Sequence, residues 1–123
     1  MLIPSDGNRR ITQKGPKIHL RYEKTADGSQ LDLWVYFDTE GWLNFNGLDL
    51  GPITGPVSAG GEYEYFKSVA ANDIPRLVKL LGGRPGTNIL NLLKRKWTGE
   101  RSHELEKILE ESDIPVDFSD YSD

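Results

Sequence analysis

The period of the apolar residues changes once along this chain, and that change constrains the fold more than any other feature. Between residues 17 and 46, apolar and polar side chains alternate, which is the period of strands that bury one face. Between residues 74 and 109, apolar residues recur every three or four positions, as in helices that bury one stripe. Strands that precede helices predict an α+β fold, with the helices packed on one face of an antiparallel sheet.

The alternating half predicts four strands, which we expect over residues 17–25, 30–37, 42–46 and 62–69. Turn residues such as Asp27-Gly28 and Glu40-Gly41 separate the first three strands. Residues 47–61 contain five Gly and two Pro and predict a long loop, a kind of segment that is often functional.

The helical half predicts helices over residues 72–81, 87–97 and 102–109, with Thr87 and Ser102 as caps of the second and third. Residues 114–118 predict a short strand, which Pro115 would restrict to a sheet edge. We therefore expect an antiparallel sheet of about four to five strands with two to three C-terminal helices. A loose arm over residues 1–16 and a polar tail over residues 119–123 complete a single domain of residues 1–123.

Several chemistries are excluded or receive no support from the residues. The chain has no Cys, which excludes disulfides, thiolate zinc sites and cysteine nucleophiles. Its two His are far apart in sequence, and no motif for a catalytic, cofactor-binding or metal site is present, so none is predicted. Neither a long apolar run nor a secretory signal pattern occurs, so we expect a cytoplasmic protein that does not enter a membrane.

The charges are arranged in blocks that the net charge of −4 conceals. Residues 31–66 hold six acids and no base, and residues 102–123 hold eight acids and one base. Residues 67–101 hold eight bases and two acids. Such asymmetry indicates either blocks that intermix in the fold or an acidic surface that meets a basic partner.

The polar side of the predicted sheet carries an unusual number of aromatic residues. Alternation places these side chains opposite the helices: Asp32, Trp34, Tyr36, Trp42, Asn44 and Asn46, with His19, Arg21 and Glu23 beside them. Trp is usually largely buried, so the rings could pack under the N-terminal arm or the 47–61 loop. Alternatively, Trp and Tyr rimmed by carboxylates form an interaction surface.

Four segments of the chain resemble a family of small uncharacterised bacterial proteins over roughly residues 30–120. They are Gly41–Gly51, Glu62–Phe66, Asp73–Leu77 and Ile114–Phe118. That family has no established activity, so this resemblance implies no function. In being small, acidic, free of Cys and α+β, the chain is also similar to the immunity proteins of polymorphic and contact-dependent bacterial toxins. This similarity implies a cognate toxin as partner, and many such toxins are basic nucleases.

These observations predict a non-enzymatic binding protein, most simply an immunity protein that neutralises a basic toxin as a monomer in a 1:1 complex. The expected contacts lie in the acidic block: Asp32, Trp34, Tyr36, Asp38, Trp42, Asp49, Glu62 and Glu64. The acidic tail is a second patch. A competing hypothesis is a small enzyme or ligand-binding domain with a pocket under the 47–61 loop, beside Tyr63 and Tyr65. Nucleic-acid binding through Lys94–Trp97 is disfavoured by the excess of acids.

Overall fold

A computed structural model, which describes residues 1–5 and 11–122, contains one open sheet of six strands. The strands are β1 (Leu2–Pro4), β2 (Gln13–Lys24), β3 (Gln30–Asp38), β4 (Leu43–Leu50), β5 (Glu62–Val69) and β6 (Val116–Ser122). Their spatial order is β1-β6-β5-β4-β3-β2. All neighbours are antiparallel except β1 and β6, which run parallel. The predicted α+β class is confirmed, with one or two strands more than expected.

Three α-helices lie between β5 and β6 along the chain: α1 (Ile74–Leu80), α2 (Ile89–Lys96) and α3 (Arg101–Glu111). Their apolar residues join one core with inward residues of the sheet such as Leu33, Val35, Phe45 and Val69. Because these strand residues share one face, the helices cover that face, which we call the helix face. We call the opposite side of the sheet the open face. No helix in the described part of the chain is long and apolar enough to cross a membrane.

β2 departs from strict alternation, which corrects two expected positions. The register against β3 shifts between His19 and Arg21, so that the strand carries an extra residue there. Beyond this bulge each side chain changes face: Arg21 and Glu23 lie on the helix face, and Tyr22 lies on the open face. The prediction that Arg21 and Glu23 lie beside the polar aromatic residues is therefore wrong, because a bulge leaves no signal in a two-residue alternation.

β4 continues four residues past its predicted end, through Gly47 to Leu50. Gly47 lies opposite Tyr65 in β5, and the Tyr65 ring covers it: a Cβ at this position would lie 2.0 Å from Tyr65 Cζ. Gly is needed here because another strand's ring approaches the backbone. The loop between β4 and β5 is therefore shorter than the predicted 47–61.

Both ends of the chain are more regular than predicted. Leu2–Pro4 and Gln13–Pro16 belong to strands, so these parts of the predicted loose arm are ordered elements. β6 extends through most of the predicted polar tail and lies between β5 and β1 rather than at an edge. Pro115 precedes the strand and removes none of its ladder donors. Residues 6–10 of the arm and Asp123 of the tail lie outside the described residues.

The helix caps also differ from the prediction. The side chain of Asn88, rather than that of Thr87, caps α2 by accepting a hydrogen bond from the backbone N–H of Asn91. Ser102 lies inside α3, where its buried hydroxyl accepts a hydrogen bond from Arg21 Nε at 2.8 Å. The bulge in β2 supplies this partner.

Candidate interaction surface

The open face is organised as rows of side chains that cross the strands. One row contains Tyr22, Asp32, Leu48, Glu64 and Tyr121, in register from β2 to β6. The neighbouring row contains His19, Trp34, Asn46, Phe66 and Ser119. Among the described residues no helix packs on this face, since the helices join the core on the other side. The rows therefore bring apolar rings and carboxylates together on one surface.

The first of these rows, which we call the tyrosine row, ends in an exposed ring on each side. Tyr22 is 61% exposed and Tyr121 is 59% exposed, while Leu48 between them is partly buried. Tyr22 and Tyr121 therefore present exposed rings at the two ends of this row, on β2 and β6.

The β5–β6 side of the open face has carboxylates that lack a cationic partner. Glu64 accepts one long hydrogen bond, from Asn46 Nδ2 at 3.3 Å, and Tyr121 lies directly across from it on β6. Glu62 lies two residues away on the same face of the strand. In the described part of the chain neither Glu forms an ion pair, so both keep charge available to an external cation.

The β2–β3 side of the same face carries its own cation. Lys17 Nζ lies 5.0 Å from the centre of the Trp34 ring, and the imidazole of His19 stacks on that ring with centroids 4.8 Å apart. Asp32 is only 2% exposed and contacts His19 at 3.3 Å while accepting a hydrogen bond from Gln30 at 2.8 Å. This side therefore has a lysine of its own chain over its aromatic ring, whereas in the described part of the chain no Lys or Arg pairs with Glu62 or Glu64.

The end of the open face near Asp38 is a buried polar network. Asp38 is 1% exposed and accepts hydrogen bonds from the backbone N–H groups of Glu40 and Trp42. Its second oxygen accepts from Asn44 Nδ2 at 3.0 Å, and Asn44 in turn accepts from Ser68 Oγ at 2.6 Å. These groups hold the turn between β3 and β4 in place and stabilise the adjoining strands.

The structure brings most of the predicted contact residues together, although not all at the surface. The strand residues on the open face are Asp32, Trp34, Tyr36, Asp38, Glu62 and Glu64. Trp42 directly precedes β4 at the Asp38 end. Asp32, Tyr36 and Asp38 are buried, so their carboxylates and ring are not presented to a partner. Asp49 points to the helix face, opposite Tyr63, and does not join this surface.

Sequence reasoning missed five members of the surface: Tyr22, Leu48, Leu50, Phe66 and Tyr121. Strict alternation predicts Tyr22 on the side of the strand away from His19, because the bulge leaves no signal in the sequence. Leu48 and Leu50 fall within the predicted 47–61 loop, because the Gly and Pro residues of that segment conceal the continuation of β4. The alternation Glu62-Glu64-Phe66 against Tyr63-Tyr65-Lys67 does carry a signal for Phe66, since its parity matches that of the two Glu.

A second polar cluster lies under α3, on the helix face, and it is structural. The Glu106 carboxylate accepts hydrogen bonds from Arg21 Nη2 at 2.6 Å, Lys67 Nζ at 2.7 Å and the Tyr65 hydroxyl at 3.2 Å. Burial opposes ionisation of Glu106, but the charges of Lys67 and Arg21 outweigh it and hold its pKa below the ordinary value. A carboxylate that is paired in this way is an anchor for α3 and not a proton donor near neutral pH.

The competing hypothesis predicts a pocket beside Tyr63 and Tyr65. A small cavity of about 220 Å³ lies there, and Lys67 and Glu106 also line it. Burial raises the pKa of Tyr65, and burial with a hydrogen bond to Asp120 raises the pKa of Tyr63 to about 12. Both phenols therefore stay protonated near neutral pH. The groove of the Gly51–Gly61 loop, about 350 Å³, has no ionisable side chain among its lining residues.

Among the described residues no group of His, Asp or Glu is arranged to hold a metal ion. Comparison with known proteins adds no assignment, since no family model, no curated protein and no solved structure matches this chain.

Proposed function

We propose that this chain is a non-enzymatic binding protein, and specifically an immunity protein that binds and neutralises a basic bacterial toxin such as a nuclease. One observation carries the proposal: the open face has no covering helix in the described part of the chain and presents exposed Tyr beside unpaired Glu. The proposal locates the complex in the cytoplasm, with one copy of each protein.

The dimensions of the open face support a protein partner. The five longer strands, at about 4.8 Å spacing and with about eight residues of 3.3 Å each, span roughly 600 Å². Part of this area is buried, namely at Asp32, Tyr36, Asp38, Asn44, Asn46 and Ser68. Stable protein complexes bury about 800 Å² on each partner. A specific complex would therefore use the exposed side chains of the open face together with its rim.

The charge distribution supports a basic partner. Carboxylates that lack a cation of their own attract a basic surface during diffusional encounter and accelerate association. Exposed rings that become buried in the complex slow dissociation. Fast association and slow dissociation are what neutralisation of a toxin requires.

The test begins with capture of the tagged protein from the organism that encodes it, followed by native mass spectrometry. We expect a 1:1 complex with one basic protein, whose toxicity on expression is relieved by co-expression of this chain. A protein that carries a small molecule instead, or a captured partner that is not toxic, would contradict the proposal.

The surface is tested by charge reversal of the Glu pair. Glu62→Lys with Glu64→Lys should weaken the complex and reduce its dependence on salt, because the steering charges are inverted. Glu104→Lys with Glu111→Lys changes the net charge equally on exposed positions of α3 and should have a much smaller effect. Equal effects of both pairs would exclude the open face. Asp32 and Asp38 are unsuitable because they are buried and hydrogen-bonded.

A further inference from the structure

We propose that the β5–β6 side of the open face recognises arginine, in preference to lysine, on its protein partner. This inference rests on the proposed function and specifies the chemistry of the partner at the same surface. The recognition strip consists of Glu62, Glu64, Phe66 and Tyr121.

The first step is the environment of the Glu64 carboxylate. Tyr121 lies directly across from it on β6, and Phe66 follows it on the same face of β5. Side chains in directly opposite positions are about 5 Å apart, so the carboxylate stands beside an exposed aromatic ring. Asn46 occupies one of its oxygens with a long contact of 3.3 Å, and the other oxygen has no hydrogen bond among the described residues.

The second step is the contrast between the two sides of the open face. On the β2–β3 side, Lys17 lies over the Trp34 ring and Asp32 contacts His19, so that aromatic ring and carboxylate each have a basic partner. On the β5–β6 side the same combination of ring and carboxylate recurs in Tyr121 and Glu64. No cation of the described chain reaches it. A partner of complementary charge would complete this second half of the face.

The third step distinguishes arginine from lysine. A guanidinium is planar, so it donates two parallel hydrogen bonds to a carboxylate while its plane stacks on a neighbouring ring. An ammonium is a compact, strongly hydrated charge that makes no such stacked and paired contact. Glu62 lies about 7 Å from Glu64 on the same face and offers a second carboxylate to a basic segment.

The experiment titrates nonaarginine and nonalysine peptides into the ¹⁵N-labelled full chain at equal ionic strength. We expect nonaarginine to bind at least about threefold more tightly, since stacking adds to the charge interaction. The amide signals of Glu62–Phe66 and Tyr121 should shift most. Equal affinities, or shifts that map to the acids of α3, would overturn the inference.

Variants locate the preference. Glu64→Gln and Tyr121→Leu should each reduce the preference for nonaarginine, whereas Glu111→Gln, an equal charge change on exposed α3, should leave it intact. Unchanged unfolding curves establish that each variant is folded. A preference that persists in both strip variants would also overturn the inference.

Failure of this inference is distinguishable from failure of the proposed function. If charge reversal of the Glu pair abolishes capture of a toxin but the two peptides bind equally, the binding surface is supported and the arginine preference is contradicted. If the two peptides differ in affinity as expected but the captured partner is not a toxin, the recognition strip is supported and the immunity function is contradicted.

Discussion

Glu106 supplies the buried ion pairs between α3 and the sheet. Its carboxylate joins Arg21 and Lys67, both about 4% exposed, and Lys67 also contacts Glu110 at 2.7 Å. Glu106→Gln leaves buried Arg21 without its carboxylate and leaves Lys67 paired with Glu110 alone, so it should lower the free energy of unfolding by about 3–5 kcal/mol. Urea unfolding at pH 7 measures this loss, and Glu104→Gln on the exposed side of α3 is the control.

The difference in free energy of unfolding between wild type and Glu106→Gln should depend on pH. The pKa of Glu106 is lower in the folded chain than its ordinary value of 4.5, so the unfolded chain binds the extra proton first as the pH falls. The stability that Glu106 contributes is therefore complete above about pH 4.5 and is lost as the pH falls through the folded pKa. The difference in free energy of unfolding between wild type and Glu106→Gln should therefore become smaller as the pH falls below about 4.5. A constant difference would contradict the role of ionised Glu106.

Residue patterns predicted the apolar core better than the polar interior. Leu33, Val35 and Phe45 follow a two-residue alternation, so their burial could be predicted from sequence. Arg21, Lys67 and Glu106 could not be predicted to meet, because each belongs to a different element and is charged. Their burial depends on a bulge and on the placement of α3, both of which are tertiary features.

At the scale of elements, β4 and β5 pack so closely at Gly47 that no side chain fits. Gly47→Ala would place a Cβ within the Tyr65 ring, so the ring or the strand must move, and we expect a loss of about 1–3 kcal/mol. Gly55→Ala is a suitable control, because its φ is −46° and its nearest contact is 3.2 Å away. Thermal or urea unfolding compares the two. Similar losses would show that Tyr65 can move aside easily.

Element prediction succeeded where contacts are local and failed where they are distant. Turns such as Asp27-Gly28 and Glu40-Gly41 join neighbouring strands and are encoded by adjacent residues. β1 has only three residues and is a strand because β6, at the far end of the chain, pairs with it. Alternation places Trp34 and Glu64 on the candidate surface, whereas the positions of Tyr22 and Tyr121 depend on register that alternation alone does not fix.

At the scale of the whole molecule, an open sheet has two edges that could pair with another copy. β1 presents only three residues, and β2 contains Gly15-Pro16 and two register shifts that interrupt its ladder. Short and irregular edges oppose sheet-to-sheet association, so we expect a monomer. Light scattering after gel filtration, from micromolar to near-millimolar concentration, should give the mass of one chain. A dimer would contradict this expectation and direct attention to β2.

The pairing of β1 with β6 has a consequence for synthesis of the chain on the ribosome. Pro4 and Val116 are separated by 112 positions, and translation at about 5–20 residues per second takes roughly 6–22 s to cover them. During that interval β1 has no partner and the outer edge of β5 is open. Nascent chains that stall before β6 would expose the Tyr63–Ser68 edge to one another, so premature termination in this gene should yield aggregates rather than shorter functional proteins.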